Sequence, residues 1–443
     1  MTIDKTKTQN SLTREQKEAV GLLSIGTFLE YFDLMLYVHM AVLLNELFFP
    51  KYDPFTASLI TAFAFCSTYL LRPIGALIFG YIGDNIGRKH TVIITTFLMA
   101  LSSLSMFLLP TYAQIGITAT WLVTLCRVVQ GMSSMGEIIG AKLYLTELVK
   151  PPKQYVIVAM ISVMSTLGLF CALGVATMVT KYDLNWRYAF LFGAGIALIG
   201  SISRTALRET PDFVDARKRL LNVGKLKYTN KISKKVAISY FFLELGYPIW
   251  IYVTLIHYGA VLKNNFGYSA SSVIEHNFFI AMVSLLIAFV ILALVTKVHP
   301  LQIMKIRALI FAVFLPCFIF VLENDMTVFN ILLLQLFIKI FNPASFPADA
   351  IIFQYFPILK RFSSVSMLYA VSRVFMYLIT SFGTVYLTFY FGTYGLLIII
   401  VPVLLGYFYG LNTFITLEKE AGNYQKKTFW SIVFLENSRF REK

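Results

Sequence analysis

Apolar residues along this chain come in runs of about twenty, broken by short polar connections that are mostly basic, and a helix needs about that length to cross a bilayer's hydrocarbon core. The runs predict spans near 20–45, 57–80, 91–110, 114–145, 155–179 and 187–205, and then near 237–262, 273–296, 305–322, 327–352, 363–388 and 393–416. These make twelve transmembrane helices, divided six and six by the polar, basic stretch 206–236. The pattern predicts an all-α membrane protein of two six-helix bundles, 20–205 and 237–416. The segment 1–19, the middle loop 206–236 and the tail 417–443 are expected in the cytoplasm. Residues 1–19 are polar, and the first apolar run is span-length and carries Glu30 and Asp33, so no cleavable signal peptide is expected.

Composition agrees with a lipid solvent. Hydrophobic residues make up 58% and charged residues 14% of the chain, with a mean hydropathy of +0.72. A soluble domain carries about 25% charged residues. The net charge of +15 invites a nucleic-acid reading, but the basic residues cluster between apolar runs and form no soluble face. Of the 38 Lys and Arg, 29 fall on the side of the termini and middle loop, and only Lys51, Lys181, Arg187 and Lys263 fall on the other. By the positive-inside rule, that asymmetry puts both termini and the middle loop in the cytoplasm. Cys66, Cys126, Cys171 and Cys317 each sit alone in an apolar run, so neither a disulfide frame nor a zinc site is expected. No H-E-x-x-H, G-x-S-x-G or phosphate-binding loop occurs, so the chain reads as no enzyme and spends no ATP itself. An ion gradient is the expected drive. The expected partners are a small solute, protons and membrane lipid, acting on a monomer, with no cofactor, metal or nucleic acid.

Charge inside the spans is the candidate chemistry. Arg72, Arg127, Lys142, Lys339 and Arg373 are predicted at membrane depth, with Glu30, Asp33, Glu137, Glu244 and Asp349. Each costs about 2.5–3.5 kcal/mol or more in lipid, so such groups face polar cavities. Glu30, Asp33 and Tyr37 lie at i, i+3 and i+7, on one helical stripe. Neighbouring carboxylates resist ionising together, which suits a proton carrier. Asp33 leads this set, with Glu30 and Glu137 behind it. Arg127 has two readings: it forks a substrate carboxylate, or it neutralises Asp33 or Glu30. Glu137, about 15 Å further along the same helix at 1.5 Å per residue, is too far to pair with it. Arg127, Tyr37, Tyr252, Trp250 and Arg72 form the candidate substrate-binding set. Tyr31, Phe32, Tyr37, Tyr247, Trp250 and Tyr252 suit a cage for a quaternary ammonium, or equally a lipid-facing belt. His39 and His257 read as helix-bonding residues. Arg127 precedes Glu137, and Lys339 precedes Asp349, by the same spacing in the fourth and tenth spans, a faint internal echo.

Between the second and third spans the chain reads Gly80-Tyr81-Ile82-Gly83-Asp84-Asn85-Ile86-Gly87-Arg88-Lys89. This resembles the G-x-x-x-D-R-x-G-R-R loop of the major facilitator superfamily. The resemblance implies that superfamily's fold and a gating role for Gly80, Gly83, Asp84, Gly87, Arg88 and Lys89, with Asp84 at a neighbouring helix N-terminus. Arg88 and Lys89 also read as simple inside anchors. Glu30-Tyr31-Phe32-Asp33, Arg72-Pro73-Ile74-Gly75, Arg127-Val128-Val129-Gln130-Gly131, Gly136-Glu137, Trp186-Arg187 and Glu209-Thr210-Pro211 resemble motifs of the metabolite:proton symporters, with the proline/glycine-betaine transporters nearest in pattern. That resemblance implies proton-coupled symport of a small zwitterionic or carboxylate metabolite, a proline- or betaine-like osmolyte first. Exchange or efflux on the same fold, or a non-transporting solute receptor, are the alternatives. The second half departs from the family. Lys297-Val298-His299-Pro300 stands where the gating loop often repeats, and Gln354-Tyr355 replaces an acid before Phe356-Pro357.

Overall fold

The structure, a computed structural model, describes residues 11–50, 69–182, 184–223 and 231–424. Helices and short connections account for all of them, and no strand occurs among the described residues. Lipid offers the backbone no hydrogen-bond partners, so a chain this apolar satisfies its N–H and C=O groups within helices. The first half comprises α1 (Arg14–Phe48), α2 (Arg72–Asn85), α3 (Arg88–Leu108), the single turn α4 (Tyr112–Ile115), α5 (Ile117–Leu148), α6 (Lys153–Lys181) and α7 (Arg187–Arg204). Helix α8 (Pro211–Val223) lies in the connection between the halves. The second half comprises α9 (Lys234–Ile251), α10 (Tyr258–Phe266), α11 (Ala270–Val295), α12 (Pro300–Asn324), α13 (Val328–Phe341), α14 (Asp349–Gln354), α15 (Ile358–Phe391) and α16 (Gly395–Glu420).

Each predicted run carries a helix, and the opening part of the second run lies outside the described residues. Seven helical segments among those described are long and apolar enough to cross a membrane. Their outer faces expose large side chains such as Leu286, Val313 and Phe389, which are 58%, 65% and 80% accessible. A lipid-facing surface accounts for such a band. This is a multi-pass membrane protein.

Two runs differ from the continuous spans predicted. The run 327–352 is broken into α13 and α14, with Asn342–Ala348 non-helical between them. Pro343 and Pro347 explain the break, because neither offers an N–H and each restricts the residue before it. The run 237–262 passes from α9 through a π-helical segment, Tyr252–His257, into α10. Pro248 inside α9 leaves a backbone carbonyl without its helical donor. Within the π-helical segment, Gln335 donates to Thr254 O at 2.6 Å, and Asn277 donates to Leu255 O at 3.3 Å. Trp250 donates to Pro343 O at 2.9 Å, tying the two irregular segments together.

In the first half α1 packs along α6, and α3 along α7; in the second α9 packs along α16. The halves meet along two seams, α2 against α15 and α6 against α11. The first seam depends on glycine. A Cβ at Gly80 would stand 2.8 Å from Ser363 Cα, and one at Gly83 would stand 2.5 Å from the Phe362 ring.

Candidate functional site

At the end of the α2–α15 seam, Asp84 reaches across to the other half. Its carboxylate accepts from the backbone N–H of Phe362 at 3.0 Å and of Ser363 at 2.8 Å. Both donors lie near the start of α15, where the helix dipole favours an anion. Arg88 is fully buried beside it. It donates to both oxygens of Glu147 at 3.1 Å, to Asp84 at 3.1 Å, to Gly83 O, and to Ile358 O of the other half at 2.6 Å. Glu147 also accepts from Arg361 of α15 at 3.1 Å and from Thr210 at 2.8 Å. The simple anchor reading therefore fails for Arg88: with no exposed surface, it serves a buried network. Gly87 has φ +150°, and there Glu209 accepts from the N–H groups of Arg88 and Lys89 at 3.1 and 3.3 Å. A Cβ at Gly87 would lie 2.0 Å from that carboxylate.

The equivalent place in the second half carries a histidine. His299 of the Lys297–Pro300 turn sits between the rings of Tyr155 and Tyr424, at 6.3 and 5.0 Å. Burial pushes its imidazole down to about 4, so this contact stays neutral at physiological pH. Gln354, standing where an acid is common, donates to Gln154 of the first half at 2.6 Å.

Nearer mid-depth, the predicted proton set separates into three environments. Asp33 accepts from Ser103 at 2.9 Å and from Gln130. Arg127 donates to the other end of that amide at 2.7 Å and lies 3.8 Å over the Tyr37 ring. Gln130 thus stands between Arg127 and Asp33. Glu30 is 1% exposed, and among the described residues neither carboxylate oxygen has a hydrogen-bond partner. Glu137 is in an ion pair with Arg204 at 2.6 Å and accepts from Thr95 and Thr96. Arg204, counted from the sequence with the cytoplasmic cations, has no exposed surface. Its position at a run's end gave it the look of an anchor. Arg72 is buried with its guanidinium 4.5 Å over Tyr69, and Tyr69 packs on Tyr377 of the other half at 3.9 Å.

A cavity of about 180 Å³ lies between the halves, lined from α1, α5, α6, α9, α11, α12, α13 and α15. Of the predicted substrate-binding residues, Trp250 lines it; Arg127, Tyr37, Tyr252 and Arg72 do not. Its charged lining is Lys142, Glu244, Arg307, Lys339 and Arg373. Lys142 is ion-paired across the halves to Asp349 at 2.6 Å, and Arg373 is ion-paired to Glu244 at 2.8 Å. Arg307, also read as a cytoplasmic anchor, is 9% exposed. The echo of Arg127/Glu137 in Lys339/Asp349 does not carry over into pairing, since Glu137 meets Arg204 while Asp349 meets Lys142.

Two helical halves around a shared charged cavity make up this fold. Solved structures share it. A proton:xylose symporter, XylE, aligns with a TM-score of 0.74 over 91% of this chain and 95% of its own, at 14% identity. The human organic anion transporter MFSD10 aligns with a TM-score of 0.66 over 90% and 100%, also at 14% identity. At that identity the likeness is one of fold. The sequence family "Sugar (and other) transporter" matches residues 20–236. The proline/betaine transporter of Salmonella typhimurium is 29% identical over 331 residues, 70% of this chain and 65% of the relative. The inner membrane metabolite transport protein YhjE of Escherichia coli is 32% identical over 246 residues, 54% of this chain and 56% of the relative. The chain therefore spans less than two thirds of the length of these relatives. Its fold is the one seen in these solved major facilitator structures.

Proposed function

We propose that this chain is a proton-coupled secondary transporter that moves a small zwitterionic or carboxylate metabolite across a bacterial inner membrane by alternating access. The observation that carries this reading is the charged cavity between the halves, with the Asp84–Arg88–Glu147–Arg361 lock joining the halves at one end. Release of that lock is the step that exposes the cavity to the other side. The cavity falls below the roughly 300–1,000 Å³ of drug-sized pockets, which suits a small metabolite. The relatives named for proline, betaine and other metabolites support the same solute class.

The proton falls to the α1 carboxylates. An ionised carboxylate buried without a partner is costly, so the surroundings of Glu30 accommodate the neutral acid. Asp33, one turn away, is placed as a hydrogen-bond acceptor facing Ser103 and Gln130, the role of an ionised carboxylate. Glu137 holds α5 to α7 through Arg204. The test is solute-triggered proton entry into reconstituted vesicles, set out at the end of the Discussion.

The locked end is assigned to the cytoplasm from the distribution of basic residues. A cysteine placed at the exposed Lys231, in an otherwise cysteine-free chain, should resist impermeant thiol reagents in intact cells and react in inside-out vesicles. Ready labelling in intact cells would reverse the orientation.

A further inference from the structure

The charges and rings around the central cavity do not suit a betaine-like solute. Lys142 and Arg373 are matched by Asp349 and Glu244. Among the described residues the other two cations have no acidic counterpart. Arg307 donates only to neutral acceptors, Ile340 O and Asn342 Oδ1, both at 3.1 Å. Lys339, next to Ile340 in the chain, lines the same cavity and makes no hydrogen bond or ion pair among the described residues. Uncompensated positive charge in a desolvated wall is costly, and a bound anion relieves it.

The aromatic faces point the same way. A quaternary ammonium needs open ring faces. Arginine already covers two of the tyrosines that line the cavity: Arg373 lies 3.9 Å over Tyr247 and 4.5 Å over Tyr369. The Trp250 ring is 1% exposed and packs edge-on against Phe311 at 4.9 Å. No unpaired acid lines the cavity to receive an ammonium either.

We infer that the solute carries net negative charge, a carboxylate without a compensating ammonium, and that Lys339 with Arg307 beside it grips that carboxylate. This rests on the transporter reading and narrows its solute class. Lys339 is the specificity-determining residue, and Arg307, fixed by its bonds to Ile340 and Asn342, is the second cation of the grip.

The experiment is titration of the purified full-length protein in lipid nanodiscs with succinate, lactate, L-proline and glycine betaine, alongside uptake of the same four solutes into proteoliposomes. Succinate or lactate should bind at least about tenfold more tightly than proline or glycine betaine, because a charge-assisted contact is worth more than about 1.4 kcal/mol. Lys339→Gln should weaken that carboxylate's binding about tenfold or more, and Lys339→Arg should restore it to within about threefold. The inference is overturned by proline or glycine betaine binding as tightly as the carboxylates. Failure of both carboxylates to bind overturns it too, as does unchanged carboxylate affinity in a well-folded Lys339→Gln protein. Carboxylate binding without flux supports the charge assignment while refuting transport. Flux of proline or betaine alone supports transport while refuting the charge assignment.

Discussion

Replacing Glu147 by Gln is expected to open the Asp84 end of the bundle. Glu147 is the shared counter-charge of two buried arginines, Arg88 from the first half and Arg361 from the second. Removing it leaves both guanidinium groups buried and uncompensated as long as the halves stay closed. Breaking a buried pair in this way costs about 3–5 kcal/mol. The open state relieves that cost by giving the arginines water, so the substitution acts on the difference between the two states. At about 1.4 kcal/mol per tenfold, the closed state should lose about a hundredfold or more in relative population. Ser165 lines the central cavity and gives a reporter position. A cysteine there, in a cysteine-free chain, should react about tenfold faster or more with impermeant reagents in inside-out vesicles when Glu147 is Gln. An unchanged labelling rate in protein that elutes normally would show that the network holds a half together and is no gate.

Glu30→Gln is expected to abolish accumulation driven by a pH gradient while leaving exchange of solute for solute measurable. Glutamine matches the shape and neutrality of the protonated acid but has no proton to release. One pH unit is worth about 1.4 kcal/mol per proton, so the wild-type protein should concentrate its solute up to about tenfold across such a gradient. The variant should stay near equality. Asp33→Asn keeps the shape that Ser103 and Gln130 bond to, and should retain part of the coupling. The reverse outcome, with coupling lost at Asp33 and kept at Glu30, would move the proton to Asp33. Glu244 is no neutral control for this pair, because it faces the cavity and holds Arg373.

The helices were legible because lipid imposes one rule on every span, and runs of apolar residues record it directly. The close approach of α2 to α15 had a local signature, with Gly80, Gly83 and Asp84 at fixed spacing. Contacts between residues far apart in the chain were not legible. Lys142 and Asp349 are 207 residues apart, and Glu244 and Arg373 are 129 apart. Their pairing depends on how the halves face each other, which no local pattern encodes. The burial of Arg204 and Arg307, counted among the 29 basic residues, was hidden for a different reason. A cation at the end of an apolar run has the same sequence signature whether it anchors a helix in water or turns inward. Glu137, beside Arg204, offered a buried acid in need of a partner, and that signal favoured the inward choice. The breaks at Pro343, Pro347 and Pro248 were visible as prolines, yet span-length apolar runs pass over them because neighbouring helices satisfy the freed backbone groups.

The central claim is that solute and proton cross together. The direct measurement is internal pH in proteoliposomes that hold a trapped pH-sensitive dye and start with no gradient of any kind. Adding the bound solute, succinate or lactate by the reading above, should acidify the lumen, because each solute entering brings a proton with it. Protein-free vesicles and the Glu30→Gln protein should show no such signal. Entry of labelled solute with no change in internal pH would contradict proton coupling.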